Sequence, residues 1–227
     1  MAEVVKEKDF VEVDYTGKLA DGKIFDTTSE KVAKDNKLYF TERKYGPAII
    51  CVGEKQILPG LDSALLNKEL GNEYAVTLPP EKAFGKRDIK LIKIIPMNTF
   101  HEHKIQPQPG LQVDIDDQRG IITSVSGGRV IVNFNHPLAG KEVTYVFTVH
   151  KKITDQNEKV ASFLSSLLRM PADKMKIEIK DNAAAVTMPG ELPAQISTIL
   201  AQKLMGLTGL KDIVFKKEEI KKEDPKK

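Results

Sequence analysis

Residues Phe10–Asp26 read FVEVDYTGKLADGKIFD, and this stretch decides the architecture. Val11, Val13 and Tyr15 alternate with Glu12 and Asp14, the period of a strand with one buried face. Asp21-Gly22 is a two-residue hairpin turn, because glycine takes positive φ without strain. Lys23–Asp26 then returns as the second strand. The chain thus opens as antiparallel β-structure. Residues 27–46 are polar and weakly periodic, which predicts an excursion or long loop. AIICV (48–52) reads as a short buried strand, and Leu58-Pro59-Gly60 introduces LDSALLN, room for about two helical turns. Gly71-Asn72 turns the chain into a strand at 73–78, closed by Pro79-Pro80.

The composition changes near Lys86. Ile89, Leu91 and Ile94 are interleaved with lysines, and a short turn from Pro96 carries Met97 and Phe100. Pro107-Gln108-Pro109-Gly110 punctuates. LQVDI, IITSVS and RVIVNF follow, separated by turns at DDQRG and Gly127-Gly128, so ~46 residues read as a small β module. Val143, Tyr145, Phe147 and Val149 then share one face of a long apolar strand that belongs in the main sheet. From Asp155 the pattern changes again: a helix with Val160, Phe163, Leu164, Leu167 and Leu168 at helical spacing, strands around 175–180 and at AAAVTM (183–188), a second helix over 195–205, and a last strand at 213–215. AAAVTM is apolar on both faces, which predicts burial on both sides. The linker HKKITDQ (150–156) is polar and reads as solvated. The predicted domains are 1–86 with 133–154, 87–132, and 155–220, followed by a charged tail at 221–227.

Composition bounds the function. The net charge is 35 − 32 = +3, with much of the lysine excess near the C-terminus. No concentrated basic face is expected, and so no nucleic-acid partner. Cys51 is the only cysteine, which excludes an intrachain disulfide and predicts a reducing, cytoplasmic setting. No stretch approaches the ~20 apolar residues of a membrane span, so no membrane partner is expected. His101 and His103 lie near Asp114, Asp116 and Asp117 in the sequence, but an H-x-H pair in a polar loop is more often solvated, and no metal or cofactor is predicted.

VDYTGKLADGKIFD (13–26), VGEKQILPGLDSALL (52–66), AFG (83–85) and VFTV (146–149), in this order and spacing, resemble the FK506-binding-protein (FKBP) family of peptidyl-prolyl isomerases. The β module entering after AFG and leaving through NHPLAG (135–140) resembles the insert-in-flap domain of SlyD-like members. The excursion at 27–46 and the C-terminal unit resemble the long archaeal type. The resemblance implies an α+β fold: an antiparallel sheet wrapped on a short helix, an inserted small β domain and a C-terminal α+β domain.

It also implies a chemistry. An X-Pro imide prefers trans by under ~1 kcal/mol but interconverts slowly, because C–N resonance raises a ~18–20 kcal/mol barrier. An apolar pocket disfavours the charge-separated planar form, and oriented polar groups bind the twisted one. A ~10³-fold gain needs only ~4 kcal/mol, so no nucleophile, metal or cofactor is required. Carried over position by position, the resemblance assigns Tyr15, Asp26 and Phe147 as catalytic residues and Phe25, Ile57, Leu58, Leu61 and Phe84 as substrate contacts. Within these, Phe25 and Phe147 are apolar walls, Leu61 is the floor, the Leu58 N–H holds a substrate carbonyl, and the Tyr15 hydroxyl orients Asp26. Leu61 replaces the tryptophan floor of many eukaryotic members, Phe84 a tyrosine, and Ala48 an aromatic. The expected partners are unfolded or partly folded polypeptides with X-Pro bonds. In the inserted module, Ile92, Ile94, Met97 and Phe100 are expected to form one chaperone groove. The C-terminal domain is expected to pair two copies of the chain. The competing reading is a non-enzymatic holdase with a vestigial pocket.

Overall fold

The computed structural model describes residues 3–218, so the charged tail predicted at 221–227 lies outside the described residues. Two compact units emerge: Met1–Val76 with Thr144–Lys227, and Thr77–Val143.

The first unit is built on a five-stranded antiparallel sheet. Its strands are β1 (Phe10–Leu19), β2 (Ile24–Thr27), β3 (Ala48–Cys51), β4 (Glu73–Leu78) and the strand Val143–Lys152, which is β9 in chain order. The order is β2-β1-β9-β4, and β3 also pairs with β1. β1 is long enough to serve two partners on one edge: Phe10–Val13 pairs with Cys51–Ala48, and Thr16–Lys18 with Thr27–Ile24. Its alternation is the predicted one, with Val11 and Val13 buried. Gly22 sits in the hairpin turn at φ +83°. The polar excursion contains a short helix, α1 (Glu30–Asp35), capped by the Ser29 hydroxyl accepting from the Val32 N–H. α2 (Pro59–Leu65) buries Leu61 and Leu65 and opens with proline in the first turn, where no N–H is needed.

The same unit continues through α4 (Gln156–Leu168), β10 (Lys176–Lys180), β11 (Ala183–Met188), α5 (Ala194–Thr208) and β12 (Asp212–Lys217). β11 pairs antiparallel with β10 and parallel with β12. Two expectations are corrected here. The linker is docked, not solvated: Ile153 is buried and its N–H donates to the Phe10 carbonyl at 2.8 Å, extending the main sheet. Nor is β11 buried on both faces. Ala184, Val186 and Met188 are buried, whereas Ala183, Ala185 and Thr187 are only half-buried, beside Lys176, Glu178 and Lys180 of the neighbouring strand. One sheet face suffices because α4 and α5 cover it. Phe10 and Cys51 of the main sheet share a single core with Val160, Phe163, Leu164, Leu200 and Leu204, and α4 lies against β3.

The second unit is wider than the predicted 87–132. Segments flanking it bind each other: the Gly140 N–H donates to the Gly85 carbonyl at 2.8 Å, and the Asn135 side chain both accepts from the Asp88 N–H and donates to its carbonyl. Its sheet runs β5 (Ile92–Pro96), β8 (Arg129–Asn133), β7 (Gln118–Ser126), β6 (Gln112–Ile115), with the helix α3 (Met97–Glu102) after β5. The four expected groove residues do not form one surface. Ile95 and Met97 pack against a core containing buried Phe100, Val113, Ile122, Val130 and Val132. Ile94, one position from Ile95, points to the opposite face and is 62% exposed. The strand period of two separates them. Ile94 stands opposite Ile131 on β8, and Ile92 is half-buried on the face of Ile94.

Candidate functional site

The β1–β2 hairpin brings Tyr15, Phe25 and Asp26 close together, and β9 adds Tyr145 and Phe147. Tyr15 and Phe25 both meet Tyr145 edge-to-face, with ring centroids 5.8 and 5.7 Å apart. Such contacts are worth about 0.5–1.5 kcal/mol beyond the area they bury. Gly17 of β1 makes the cluster possible. A Cβ there would come within 2.8 Å of the Phe25 ring and 2.9 Å of the Tyr145 ring, so only glycine lets both lie over the strand.

Phe147, two residues along β9, is buried on the same face and packs against Tyr74 at 5.7 Å. Tyr145 stands in the same ring cluster as Tyr15 and Phe25, although the sequence pattern marks it only as a sheet residue. The alternation Val143-Tyr145-Phe147 was the available signal.

Asp26 is held by a residue that the sequence did not flag. Arg43, in the polar excursion, donates to the Asp26 carboxylate at 2.9 Å and to the Thr27 carbonyl at 3.2 Å. Its guanidinium lies 5.4 Å from the Tyr45 ring, and the Tyr45 hydroxyl in turn donates to the Leu38 carbonyl at 2.9 Å. The excursion is therefore a clamp for one arginine. Among the described residues this is the ion pair that fixes Asp26, and it corrects the expectation that the Tyr15 hydroxyl orients the carboxylate.

Charge and burial tune these groups. Burial, reinforced by the Asp26 carboxylate and partly offset by Arg43, pushes the Tyr15 hydroxyl up to about 12. Burial raises Tyr145 as well, with smaller contributions from Asp26 and Tyr15. Both stay O–H donors across the physiological range. Burial disfavours the charged form of Arg43, but its bond to Asp26 outweighs this and its pKa rises.

The loop from β3 into α2 is organised by Asp62. This buried carboxylate accepts from the Gly53 N–H at 2.9 Å and the Lys55 N–H at 3.0 Å. The loop delivers Ile57 and Leu58, both half-buried, and Leu61, which is buried. Leu58 is the N-cap of α2, so its own N–H has no acceptor inside the helix. Tyr15 and Ile57 line one cavity together with Ala48 and Ile50. Phe84 belongs to the second unit, where it stacks on His136 with centroids 4.7 Å apart. His136 also accepts from the Leu138 N–H through Nδ1, bracing the NHPLAG turn. Cys51 is buried, and desolvation, with the Glu54 and Asp62 carboxylates adding, pushes its thiol up to about 12.

Residues 2–106 match the profile of the FKBP-type peptidyl-prolyl cis-trans isomerase family, and residues 93–138 match that of the FKBP26, IF domain. The Short-type peptidyl-prolyl cis-trans isomerase of Methanocaldococcus jannaschii is 40% identical over 149 residues, 66% of this chain and 94% of that protein. The FKBP-type 16 kDa peptidyl-prolyl cis-trans isomerase of Escherichia coli K12 is 30% identical over 150 residues, 64% of this chain and 91% of its own length. The FKBP-type peptidyl-prolyl cis-trans isomerase SlyD of Treponema pallidum is 32% identical over 116 residues, 49% of this chain and 65% of that protein. With 40% identity sustained over nearly the whole of one relative, this chain belongs to the family of FKBP-type peptidyl-prolyl cis-trans isomerases.

Proposed function

We propose that the cluster of Tyr15, Phe25, Asp26, Tyr145 and Phe147 isomerises X-Pro bonds in unfolded polypeptides, while the second unit holds the client. The observation that carries this reading is the Asp26–Arg43 pair set beside the buried Tyr15–Tyr145–Phe25 rings. The rings offer the prolyl ring an apolar, water-poor environment, in which the charge-separated planar imide is less stabilised than in water. As the C–N bond twists, the nitrogen becomes pyramidal and the carbonyl loses its amide character. The Leu58 N–H binds a substrate carbonyl and fixes the chain on one side of the rotating bond. Asp26, immobilised by Arg43, presents a negative potential to the twisting amide. No covalent intermediate and no proton transfer enters the cycle. The Tyr15 hydroxyl, kept protonated by its surroundings, serves as a donor. Leu61 supports the pocket from below.

Turnover of a proline-containing tetrapeptide by wild-type protein and by Phe25→Ala tests this. The variant is expected to lose most of its activity, and full activity would refute the assignment.

Client holding is the second element of the proposal. Ile94 and Ile131 stand side by side on the outer face of the inserted sheet, and Ile89 is 82% exposed. Exposed Ile94 beside half-buried Ile131 on one sheet face offers apolar surface to an extended, partly folded chain. Suppression of aggregation of a denatured client, lost on Ile94→Asp, is the check. Self-association through residues 155–220 is the third element. Ile196 and Ile199, one helical turn apart on α5, are 45% and 63% exposed, and sedimentation of the full chain measures it. A cytoplasmic setting accords with the single buried thiol.

A further inference from the structure

Tyr15 and Ile57, two of the residues assigned to the prolyl site, also line a groove of about 500 Å³ whose far wall is helix α4 of the same compact unit. That volume falls within the ~300–1,000 Å³ typical of ligand sites. α4 turns its apolar face, Val160, Phe163 and Leu164, into the core. Toward the groove it presents Ser162, Ser165 and Ser166 instead. Serine is a mediocre helix former, and larger side chains here would close the groove.

The two walls differ in hydrogen-bonding character. The Ser162 and Ser165 hydroxyls donate to the Lys159 and Met170 carbonyls, at 3.1 and 2.6 Å. Their protons are thereby used, and their lone pairs remain as acceptors. Across the groove, Gln56 receives the Cys51 N–H on its Oε1 at 2.6 Å, which fixes the orientation of the amide. Its Nε2 is buried and has no hydrogen-bond partner among the described residues, which leaves one donor on this wall to be met. Ala48 and Ile50 supply apolar surface between them. Acceptors on one side, a donor on the other and an apolar strand between match the alternating N–H and C=O groups of an extended peptide backbone.

We propose that this groove binds the stretch of substrate chain that flanks the proline, so that the C-terminal helix α4 forms part of the substrate-binding cleft. The proposal rests on the isomerase reading of the pocket and extends it: the preferred substrate is an extended polypeptide segment, not an isolated X-Pro unit. Glu158, at the N-terminal end of the α4 wall, favours a basic residue in that segment.

The test compares the full chain with its Ser162→Leu and Ser166→Trp variants, both of which fill the groove at positions outside the prolyl pocket. Substrates are a proline tetrapeptide and two decapeptides that extend it in one direction or the other. In the wild type, one extension is expected to raise kcat/KM by about five-fold or more, chiefly through KM. Both variants are expected to lose that surplus and to turn over the tetrapeptide within about two-fold of wild type. If Ser162→Leu fails to fold, Ser166→Trp, at the exposed rim of the groove, carries the comparison. The proposal is overturned if neither extension gains over the tetrapeptide, or if the gain survives the filled groove. Absence of wild-type tetrapeptide turnover would overturn the isomerase reading itself, a result distinct from either.

Discussion

Replacing Asp26 by asparagine removes one charge and almost no volume, so it separates electrostatic catalysis from packing. The Asp26 and Arg43 side chains are 28% and 43% exposed, and their nitrogen and oxygen lie 2.9 Å apart. A pair this open to water contributes about 0–1 kcal/mol to stability. In a domain of this size such a change moves Tm by at most about 2–4 °C. The effect on catalysis is expected to be larger, because the twisted imide lies against the ring cluster, where water screens less. A ten-fold loss in kcat/KM requires only about 1.4 kcal/mol of lost transition-state stabilisation. Asp26→Asn should therefore lose at least about ten-fold in tetrapeptide turnover while its melting curve stays close to wild type. Arg43→Gln should lose a similar factor by releasing the carboxylate, and the double variant should be no worse than the worse single variant, since both changes remove one coupled unit. The assay is protease-coupled or exchange-NMR isomerisation, run beside thermal melts of all four proteins. Wild-type turnover in Asp26→Asn would refute the electrostatic role and leave desolvation by the rings as the mechanism. Strictly additive losses in the double variant would show that Arg43 does not act through Asp26.

Leu164 is fully buried in the core that joins α4 to Phe10 and Cys51, so Leu164→Ala should destabilise the chain by about 2.7–5 kcal/mol in urea unfolding; a smaller, separate transition for residues 155–218 would contradict the single core. Tyr15, Tyr145 and Cys51 all have pKa values raised in the folded state. Their protonated forms therefore stabilise the fold below the unfolded values, and that contribution is lost as pH rises from about 9–10 toward about 12. Denaturant midpoints should be insensitive to these groups below pH ~8 and fall steeply above pH ~10. By the same reasoning Cys51 should resist alkylation at pH ~8 until the protein is unfolded. Replacing 88–132 with a short loop should preserve tetrapeptide turnover and impair proline-limited refolding of a whole protein; equal losses on both substrates would assign the insert a purely structural role.

The main strands were legible in the sequence where they carry their period openly. Val11-Val13-Tyr15 and Val143-Tyr145-Phe147 alternate, and Asp21-Gly22 admits little besides a hairpin. What escaped had no period to carry it. Arg43 is one of five cations in the polar run 27–46, seventeen positions from Asp26, and only the folded excursion makes them neighbours. The docked linker offered a single apolar residue, Ile153, whose significance lies in a backbone bond to Phe10. In the insert, Ile94 and Ile95 are adjacent in a strand and face opposite ways, and it is Ile95 that packs with Phe100 of α3.

β11 misled for a different reason. Alanine is small enough to sit on a half-buried face without penalty, so a run of alanines does not distinguish one covered face from two. The same ambiguity hides the groove beside the prolyl site. Ala48, Ser162, Ser165 and Ser166 leave no mark on a hydrophobic pattern, since their contribution is the volume they fail to fill. Periodicity reports where side chains pack. A binding cleft is made where they do not, and it becomes visible only when β3 and α4 are brought face to face.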